Sequence, residues 1–362
     1  MLTVGQERSP VIEINVGSRI RAVTFTANGE YIVGGGDGQR VWRVEDCKQM
    51  ATMAARDVRS LAVSQDGRWI AAGTDWGEAI LWDTKTFEQV FTHKEDLPDS
   101  ILGVDFSPDS TRLVTASKNP TAIWDVAARK KVLTLHEYWV RAAKYSPQGD
   151  RIATATFDSV RVWDSNDGRL LTDIPVNVAP LSMFNSGLLW SNNHLFVVSD
   201  STIKRFEAST GSAASEWPVH HSNNSSCIAL PKHGEFIAYS TYDTVTFWNT
   251  STHTRIGLIQ HTQPICSIAL SPGHRFLAIG GDGGTIAIKD LRDVLPASYS
   301  TVCIVYCRTI EYQNRFTASP PYPNFGSTCK LIALSLSHHL LTSPTLYSIP
   351  GSRTSSQTRK HH

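Results

Sequence analysis

Residues 137–164 alternate apolar and polar side chains with a period of two, which is the spacing of β-strands and not of helices. Val160 and Val162 flank Arg161, and the run 153–156 alternates alanine and threonine in the same way. Each of these runs is only four to six residues long, which is typical of short strands. This stretch therefore predicts a small antiparallel β-sheet.

Two turn signals divide the stretch into three strands. The first is Ser146-Pro147-Gln148-Gly149, where proline fixes φ and glycine permits a positive φ. The second is Phe157-Asp158-Ser159. The predicted strands are Val140 to Tyr145, Arg151 to Thr156 and Val160 to Trp163. Three strands cannot bury a face by themselves, so the unit predicts neighbours of the same kind.

Six further copies of the unit occur along the chain. All seven copies, the stretch 137–164 included, end on a marker of an aromatic residue followed by a polar one, a pattern that the last copy keeps only in its Asp. The markers are Trp42-Arg43, Trp82-Asp83, Trp124-Asp125, Trp163-Asp164, Phe206-Glu207, Trp248-Asn249 and Lys289-Asp290. Successive markers lie about 40 residues apart, the period of the four-stranded blades of a β-propeller. The turn between the first two strands recurs at the same period in six of the seven copies.

On these markers the sequence resembles the WD40-repeat β-propellers, in particular fungal-type arrays, over roughly residues 11–291. The resemblance implies an all-β, seven-bladed ring in which each repeat supplies three strands of one blade and the outer strand of a neighbour. It also implies that Val11–Val16 forms the outer strand of the last blade and closes the ring. Closure of this kind leaves no long sheet edge unpaired. We expect the propeller to occupy residues 1–295, with blade five the most divergent.

The composition changes after residue 295. Residues 296–362 contain 19 Ser or Thr and six Pro, and they carry six basic side chains against one acidic. We predict a poorly ordered tail here. The whole chain has a net charge of +1 and the predicted tail is basic, so the predicted ring is slightly acidic. This charge argues against non-specific binding of nucleic acid as its main task, and no specific nucleic-acid partner is predicted.

No long apolar run and no signal-peptide pattern is present in the sequence, which predicts no membrane contact and a cytoplasmic chain, with the nucleus as the alternative location. The six cysteines are expected to be reduced in such a compartment. Their spacing, and that of the histidines, matches no common metal module, so neither a metal nor a cofactor is predicted.

The resemblance also implies hydrogen-bonded sets of His, Ser or Thr, Asp and Trp inside the blades. Such a set resembles a catalytic triad, but it recurs from blade to blade, whereas an active site normally occurs once. We therefore interpret it as structural, with Thr154 as the alternative to Thr156 in blade four. The predicted members are His136, Thr156, Asp158 and Trp163 in blade four, and Thr241, Asp243 and Trp248 in blade six, with His220 or His221.

In a WD40 ring, the loops before the first strand and between the second and third strands meet on one rim around the channel. Aromatic residues and arginine are the usual anchors of protein interfaces. The side chains expected on this rim are Arg19, Arg59, Trp76, Lys118, Trp139, Phe157, Tyr242 and Gln263. The alternative for Trp139 and Phe157 is packing between blades. A rim of this kind suits a protein or peptide partner that buries roughly 1,200–2,000 Å² in total.

These features predict a non-catalytic scaffold that binds a protein or peptide through its loop rim. Two alternatives stay open at this point. One is a substrate receptor of a ubiquitin ligase, for which the Trp-Asp-x-Arg pattern occurs only in imperfect form, as in Trp82-Asp83-Thr84-Lys85. The other is a propeller enzyme with a site in the channel. Fold alone does not decide among them.

Overall fold

The computed structural model of the chain describes residues 12–94, 99–176, 187–199, 202–219, 227–232 and 234–299. These residues form seven four-stranded antiparallel sheets and almost no helix. The predicted seven-bladed, all-β propeller is therefore confirmed.

The strands are numbered in chain order, and each blade is built from consecutive strands except the last. The chain begins with β1 (Ile12–Asn15). Blade one comprises β2 (Ile20–Phe25), β3 (Tyr31–Gly36), β4 (Gln39–Arg43) and β5 (Gln49–Met53). Blade two comprises β6 (Val58–Val63), β7 (Trp69–Thr74), β8 (Glu78–Asp83) and β9 (Gln89–Lys94). Blade three comprises β10 (Ile101–Phe106), β11 (Arg112–Ser117), β12 (Thr121–Asp125) and β13 (Lys130–Leu135).

The remaining blades follow the same order. Blade four comprises β14 (Ala142–Tyr145), β15 (Arg151–Ala155), β16 (Ser159–Asp164) and β17 (Leu170–Pro175). Blade five comprises β18 (Leu188–Ser191), β19 (His194–Ser199), β20 (Thr202–Glu207) and β21 (Ala213–Pro218). Blade six comprises β22 (Ile228–Ala229), β23 (Phe236–Ser240), β24 (Thr244–Asn249) and β25 (Arg255–Gln260). Blade seven comprises β26 (Ile265–Leu270), β27 (Phe276–Gly281), β28 (Thr285–Asp290) and β1.

The first strand of each blade lies innermost, because it contacts the first strands of both neighbouring blades. Side-chain hydrogen bonds join these inner strands. The Ser60 hydroxyl accepts from the Val104 amide at 3.0 Å, and the Ser267 hydroxyl accepts from the Val23 amide at 3.1 Å. These bonds satisfy strand amides that the blade itself leaves without a partner.

Seven hydrophobic clusters form the core of the described residues, and each one is shared by two neighbouring blades. The cluster between blades three and four, for example, joins Leu135 to Val140, Ile152 and Trp163. A blade therefore buries both of its faces only when a neighbour stands on each side. This is the physical reason why the repeats close into a ring.

The ring closes at blade seven. β1 pairs antiparallel with β28, so that Ile14 lies opposite Ile286, and the Val16 amide donates to the Gly284 carbonyl at 2.8 Å. The predicted closing strand is confirmed over Ile12–Asn15, while Val11 lies outside the described residues.

The chain beyond β28 packs against the outside of blade six. A 3₁₀ turn (Leu291–Asp293) is capped by the Asp290 side chain, and Leu295 is buried in the cluster between blades six and seven. Gly257 permits this approach, because a Cβ there would lie 3.0 Å from the Leu295 side chain. Tyr299 packs edge-on against Phe236, so the chain that packs on the ring extends at least to residue 299. The poorly ordered tail is predicted to begin at residue 296, so its first four residues correct that boundary, and residues 300–362 lie outside the described residues.

Candidate functional site

One end of the ring carries all eight side chains predicted for the rim. In an antiparallel blade, the start of the first strand and the end of the second lie at the same edge, which places the relevant loops together. Arg19 precedes β2, Arg59 lies in β6, Trp76 follows β7, Lys118 follows β11, Trp139 precedes β14, Phe157 follows β15, Tyr242 follows β23 and Gln263 precedes β26.

The most exposed aromatic side chains of the described residues all lie on this rim. Trp76 is 55% exposed, Trp139 56%, Phe157 43% and Tyr242 42%, and they are joined by Tyr138 at 56%. Trp139 and Phe157 are thus on the surface and do not pack between blades. Sequence reasoning missed Tyr138, although its position beside Trp139 was a usable signal.

Cationic side chains lie over two of these rings. The Lys118 ammonium lies 5.3 Å from the centre of the Trp139 ring, and the Arg141 guanidinium lies 3.7 Å from the centre of the Phe157 ring. Partial burial lowers the pKa of Arg141, which still leaves it a cation at neutral pH. We call Tyr138, Trp139, Phe157, Lys118 and Arg141 the aromatic ledge; it spans blades three and four.

Carboxylates and arginines form a second cluster where blades one and two meet. Arg21 donates to Asp75 at 3.0 Å and to Asp57 at 3.3 Å, and Arg59 pairs with Asp75. The Trp76 indole nitrogen donates to Asp57 at 2.9 Å, which fixes this exposed ring on the cluster.

Three rim side chains form contacts that tie neighbouring segments together. Arg59 is only 17% exposed, inside the carboxylate cluster. Gln263 is half-buried and accepts from the Thr285 hydroxyl at 3.1 Å. Arg19 pairs with Asp282 of blade seven, across the seam where the ring closes.

The structure corrects the set predicted inside blade four. The Trp163 indole donates to Thr154 Oγ1 at 2.8 Å, and Thr154 donates to the carboxylate of Glu137. His136 is exposed, because its neighbour Glu137 is the residue that points inward. Thr156 also takes no part in these hydrogen bonds.

Thr156 belongs to the loop beyond β15 instead. Its hydroxyl donates to Asp158 at 2.7 Å, and this bond is the main cause of the lowered pKa of the Asp158 carboxyl. The pair stabilises the turn that presents Phe157.

The set predicted for blade six is also different from the one observed. The Trp248 indole donates to Thr246 Oγ1 on its own strand at 3.0 Å, and not to Thr241. Thr241 bonds to the backbone carbonyl of Thr244, and Asp243 accepts from the Thr244 hydroxyl at 2.9 Å. Residue 239, which corresponds in register to Thr154, is a tyrosine here and cannot serve as the small hydroxyl acceptor. His220 and His221 lie outside the described residues.

Glu137 is the buried acid of the rim, with a side chain only 1% exposed. Its second partner is Arg161, whose guanidinium donates to the carboxylate at 2.9 Å. Burial raises the pKa of Glu137, and the hydrogen bond from Thr154 and the charge of Arg161 oppose that rise. Sequence reasoning missed this residue.

The described residues contain no group of three or more His, Cys, Asp or Glu side chains that could hold a metal ion. No helix in the same part of the chain is long and apolar enough to cross a membrane. Cys227 and Cys266 are buried in blades six and seven, and burial raises the pKa of each thiol to about 12.

The fold and the rim define a seven-bladed β-propeller. Four segments of the chain, residues 47–83, 86–125, 128–164 and 251–290, match the family model described as "WD domain, G-beta repeat". The chain therefore contains WD40 repeats.

Proteins with WD repeats are also its relatives by sequence. "WD repeat-containing protein 18" of Danio rerio is 26% identical over 288 residues, which cover 69% of this chain and 65% of the relative. A component of chromatin assembly factor 1 from Gallus gallus is 27% identical over 43% of this chain and 25% of its own length. "Protein HIR1" of Cryptococcus neoformans is 27% identical over 44% of this chain and 21% of its own length. The chain thus spans less than two thirds of each of these relatives.

Two solved structures resemble the fold. The β-propeller domain of Cps50 (Swd1) from Myceliophteria thermophila has a TM-score of 0.67 at 17% identity, covering 78% of this chain and 99% of that one. Kuenenia stuttgartiensis hydrazine synthase has a TM-score of 0.66 at 13% identity, covering 80% of this chain and 99% of that one. At such identities the likeness concerns the fold alone.

Proposed function

We propose that this chain is a non-catalytic scaffold that binds a protein or peptide through its loop rim. The observation that carries the proposal is the distribution of exposed aromatic side chains. All five in the described residues lie on the rim. Exposed rings gathered on one face commonly mark an interaction site.

The chemistry of the rim supports the same function. Lys118 and Arg141 are held over aromatic rings, so a partner meets charged and apolar groups that are already in position. Such preorganisation lowers the conformational entropy lost on binding. The fixed indole of Trp76 adds a third anchor, in blade two.

A role beside chromatin-assembly proteins in the nucleus is a second candidate. The name of the Gallus gallus relative favours it. The match covers only a quarter of that relative, which leaves its other segments without a counterpart here. The full chain fused to a fluorescent protein should concentrate in the nucleus if this candidate is right, and a purely cytoplasmic signal contradicts it.

The rim is tested with a double variant, Trp139→Ala with Tyr242→Ala. Proximity labelling of the wild type and the variant should show loss of the proteins that bind the rim. The matched control is Val132→Ala with Leu258→Ala, because these side chains are 45% and 47% exposed on outer strands β13 and β25, away from the rim. Equal losses in both variants, or none in either, would contradict the proposal.

A further inference from the structure

The two most exposed residues of the aromatic ledge stand between two buried ones. Tyr138 and Trp139 are each 56% exposed, whereas Glu137 before them is 3% exposed and Val140 after them is fully buried. A two-residue projection of this kind holds its shape only if both of its ends are fixed.

Backbone hydrogen bonds fix the end that leads into β14. The Trp139 amide donates to the Lys118 carbonyl at 3.2 Å, the Val140 amide to Ser117 at 2.9 Å, and the Arg141 amide to Ala155 at 2.8 Å. Trp139 itself has a φ of 62°, in the left-handed region. A bulky residue adopts this conformation only where the surroundings impose it.

A buried carboxylate fixes the other end. Glu137 accepts hydrogen bonds from Thr154 on β15 and from Arg161 on β16. Arg161 also bonds to Asp173 on β17 at 3.2 Å, and Thr154 accepts from Trp163. The Glu137 side chain therefore ties the loop that carries Tyr138 and Trp139 directly to β15 and β16, and through Arg161 to β17.

We infer that Glu137 is a positioning residue for partner binding, which holds Tyr138 and Trp139 in their binding-ready arrangement without contacting the partner. This inference rests on the proposed function of the rim. It adds that the affinity of the aromatic ledge depends on a carboxylate beneath the surface.

Blade three offers a matched comparison. The Trp124 indole donates to Thr115 Oγ1 at 3.0 Å, as Trp163 donates to Thr154. Thr115 donates to the Ala122 carbonyl and not to a carboxylate. Removal of the Thr115 hydroxyl thus perturbs an equivalent Trp–Thr bond without touching the Glu137 network.

Backbone hydrogen exchange in the free protein, followed by mass spectrometry, tests the inference without any partner. In Glu137→Ala, exchange in the segment 137–141 should accelerate about tenfold, because the loop loses its buried anchor. Thr154→Val should accelerate the same segment, and Thr115→Val should leave it unchanged. Glu137→Gln keeps one acceptor oxygen but loses the charge that pairs with Arg161, so it should accelerate the segment to a smaller extent and serves as the second variant if the alanine form does not fold.

Unchanged exchange in segment 137–141 of both Glu137 variants would overturn the inference, as would equal acceleration in the Thr115→Val control. These outcomes are independent of the rim test. If the double rim variant keeps every partner while the Glu137 variants loosen the ledge, the proposed function fails and the role in partner binding fails with it, whereas Glu137 remains the anchor of this loop in the free protein.

Discussion

Blades four and seven bury similar sheets but hold them in different ways. Blade four takes all four strands from one continuous segment and carries the Trp163–Thr154–Glu137 chain inside it. Blade seven takes its outer strand from the other end of the chain and has Lys289 where blade four has Trp163. His261 of blade seven is buried, and its Nε2 has no hydrogen-bond partner among the described residues.

The requirements for forming a blade differ from those for supporting the aromatic ledge. Blade seven shows that a blade forms without the internal polar chain, provided that its clusters with blades six and one are filled. The polar chain of blade four lies directly beneath the aromatic ledge. Blade four therefore combines an apolar core with a hydrogen-bonded set of side chains that supports one surface. Blade seven depends on the apolar contacts around β1, where the ring closes.

The largest effect is expected at that seam. Ile14→Asp places a carboxylate opposite Ile286 in the buried face of the closing strand. We expect the free energy of unfolding to fall by about 4 kcal/mol or more, since an unpaired charge is buried. Urea unfolding measures it. Glu13→Gln, on the exposed face of the same strand, should cost less than about 0.5 kcal/mol, and a similar loss in both variants would show that closure does not depend on the seam.

A smaller effect is expected inside blade four. Thr154→Val removes the acceptor of Trp163 and a donor to Glu137, so we expect a loss of about 2 kcal/mol. Thr115→Val in blade three removes only the Trp124 acceptor and should cost about 1 kcal/mol. Both are measured by urea unfolding at neutral pH. Equal costs would mean that the bond to the carboxylate adds no stability.

The pH dependence of stability should sharpen the same comparison. The pKa of Glu137 is raised in the folded protein, so protonation favours the native state. This contribution is complete below the usual glutamate pKa of 4.5 and is lost as the pH rises through the raised value. The stability of the wild type minus that of Glu137→Gln should therefore decrease from about pH 4 to about pH 7. A difference that stays constant over this range contradicts the assignment.

The smallest effect on stability is expected on the surface of the aromatic ledge. Trp139→Ala removes a side chain that is 56% exposed and lies beneath the Lys118 ammonium. We expect the free energy of unfolding to change by less than about 0.5 kcal/mol. Thermal unfolding followed by circular dichroism measures it. A clear loss of stability would show that Trp139 supports the fold, and binding data from the rim variant would then need a different control.

The strands and their number could be predicted because each strand repeats a simple pattern at a fixed period. In blade four the predicted strands differ from the observed ones by two residues or fewer, as at Val140, where β14 begins at Ala142. The hydrogen-bonded set Trp163–Thr154–Glu137 inside blade four could not be predicted. His136 and Glu137 are adjacent, and a shift of one residue in the loop decides which of them points inward.

The choice between Thr154 and Thr156 depends on register in the same way. Ile152 lies opposite Trp163, so Thr154, two residues on, lies on the same face, within reach of the indole nitrogen. Thr156 shares this parity but lies beyond the end of β15. Parity alone therefore leaves two candidates. The Arg141–Phe157 contact joins the residue just before β14 to the turn after β15, and no periodic pattern in the sequence marks it.

Closure by β1 has a consequence for biosynthesis. The ribosome makes β1 before any blade, but its partner β28 is among the last strands of the ring to emerge. At a translation rate of ~5–20 residues per second, β1 lacks its pairing partner for on the order of 10–60 s. During that interval its apolar face, including Ile14, is open to other nascent chains, so the yield of folded protein should depend on what shields this segment in the cell.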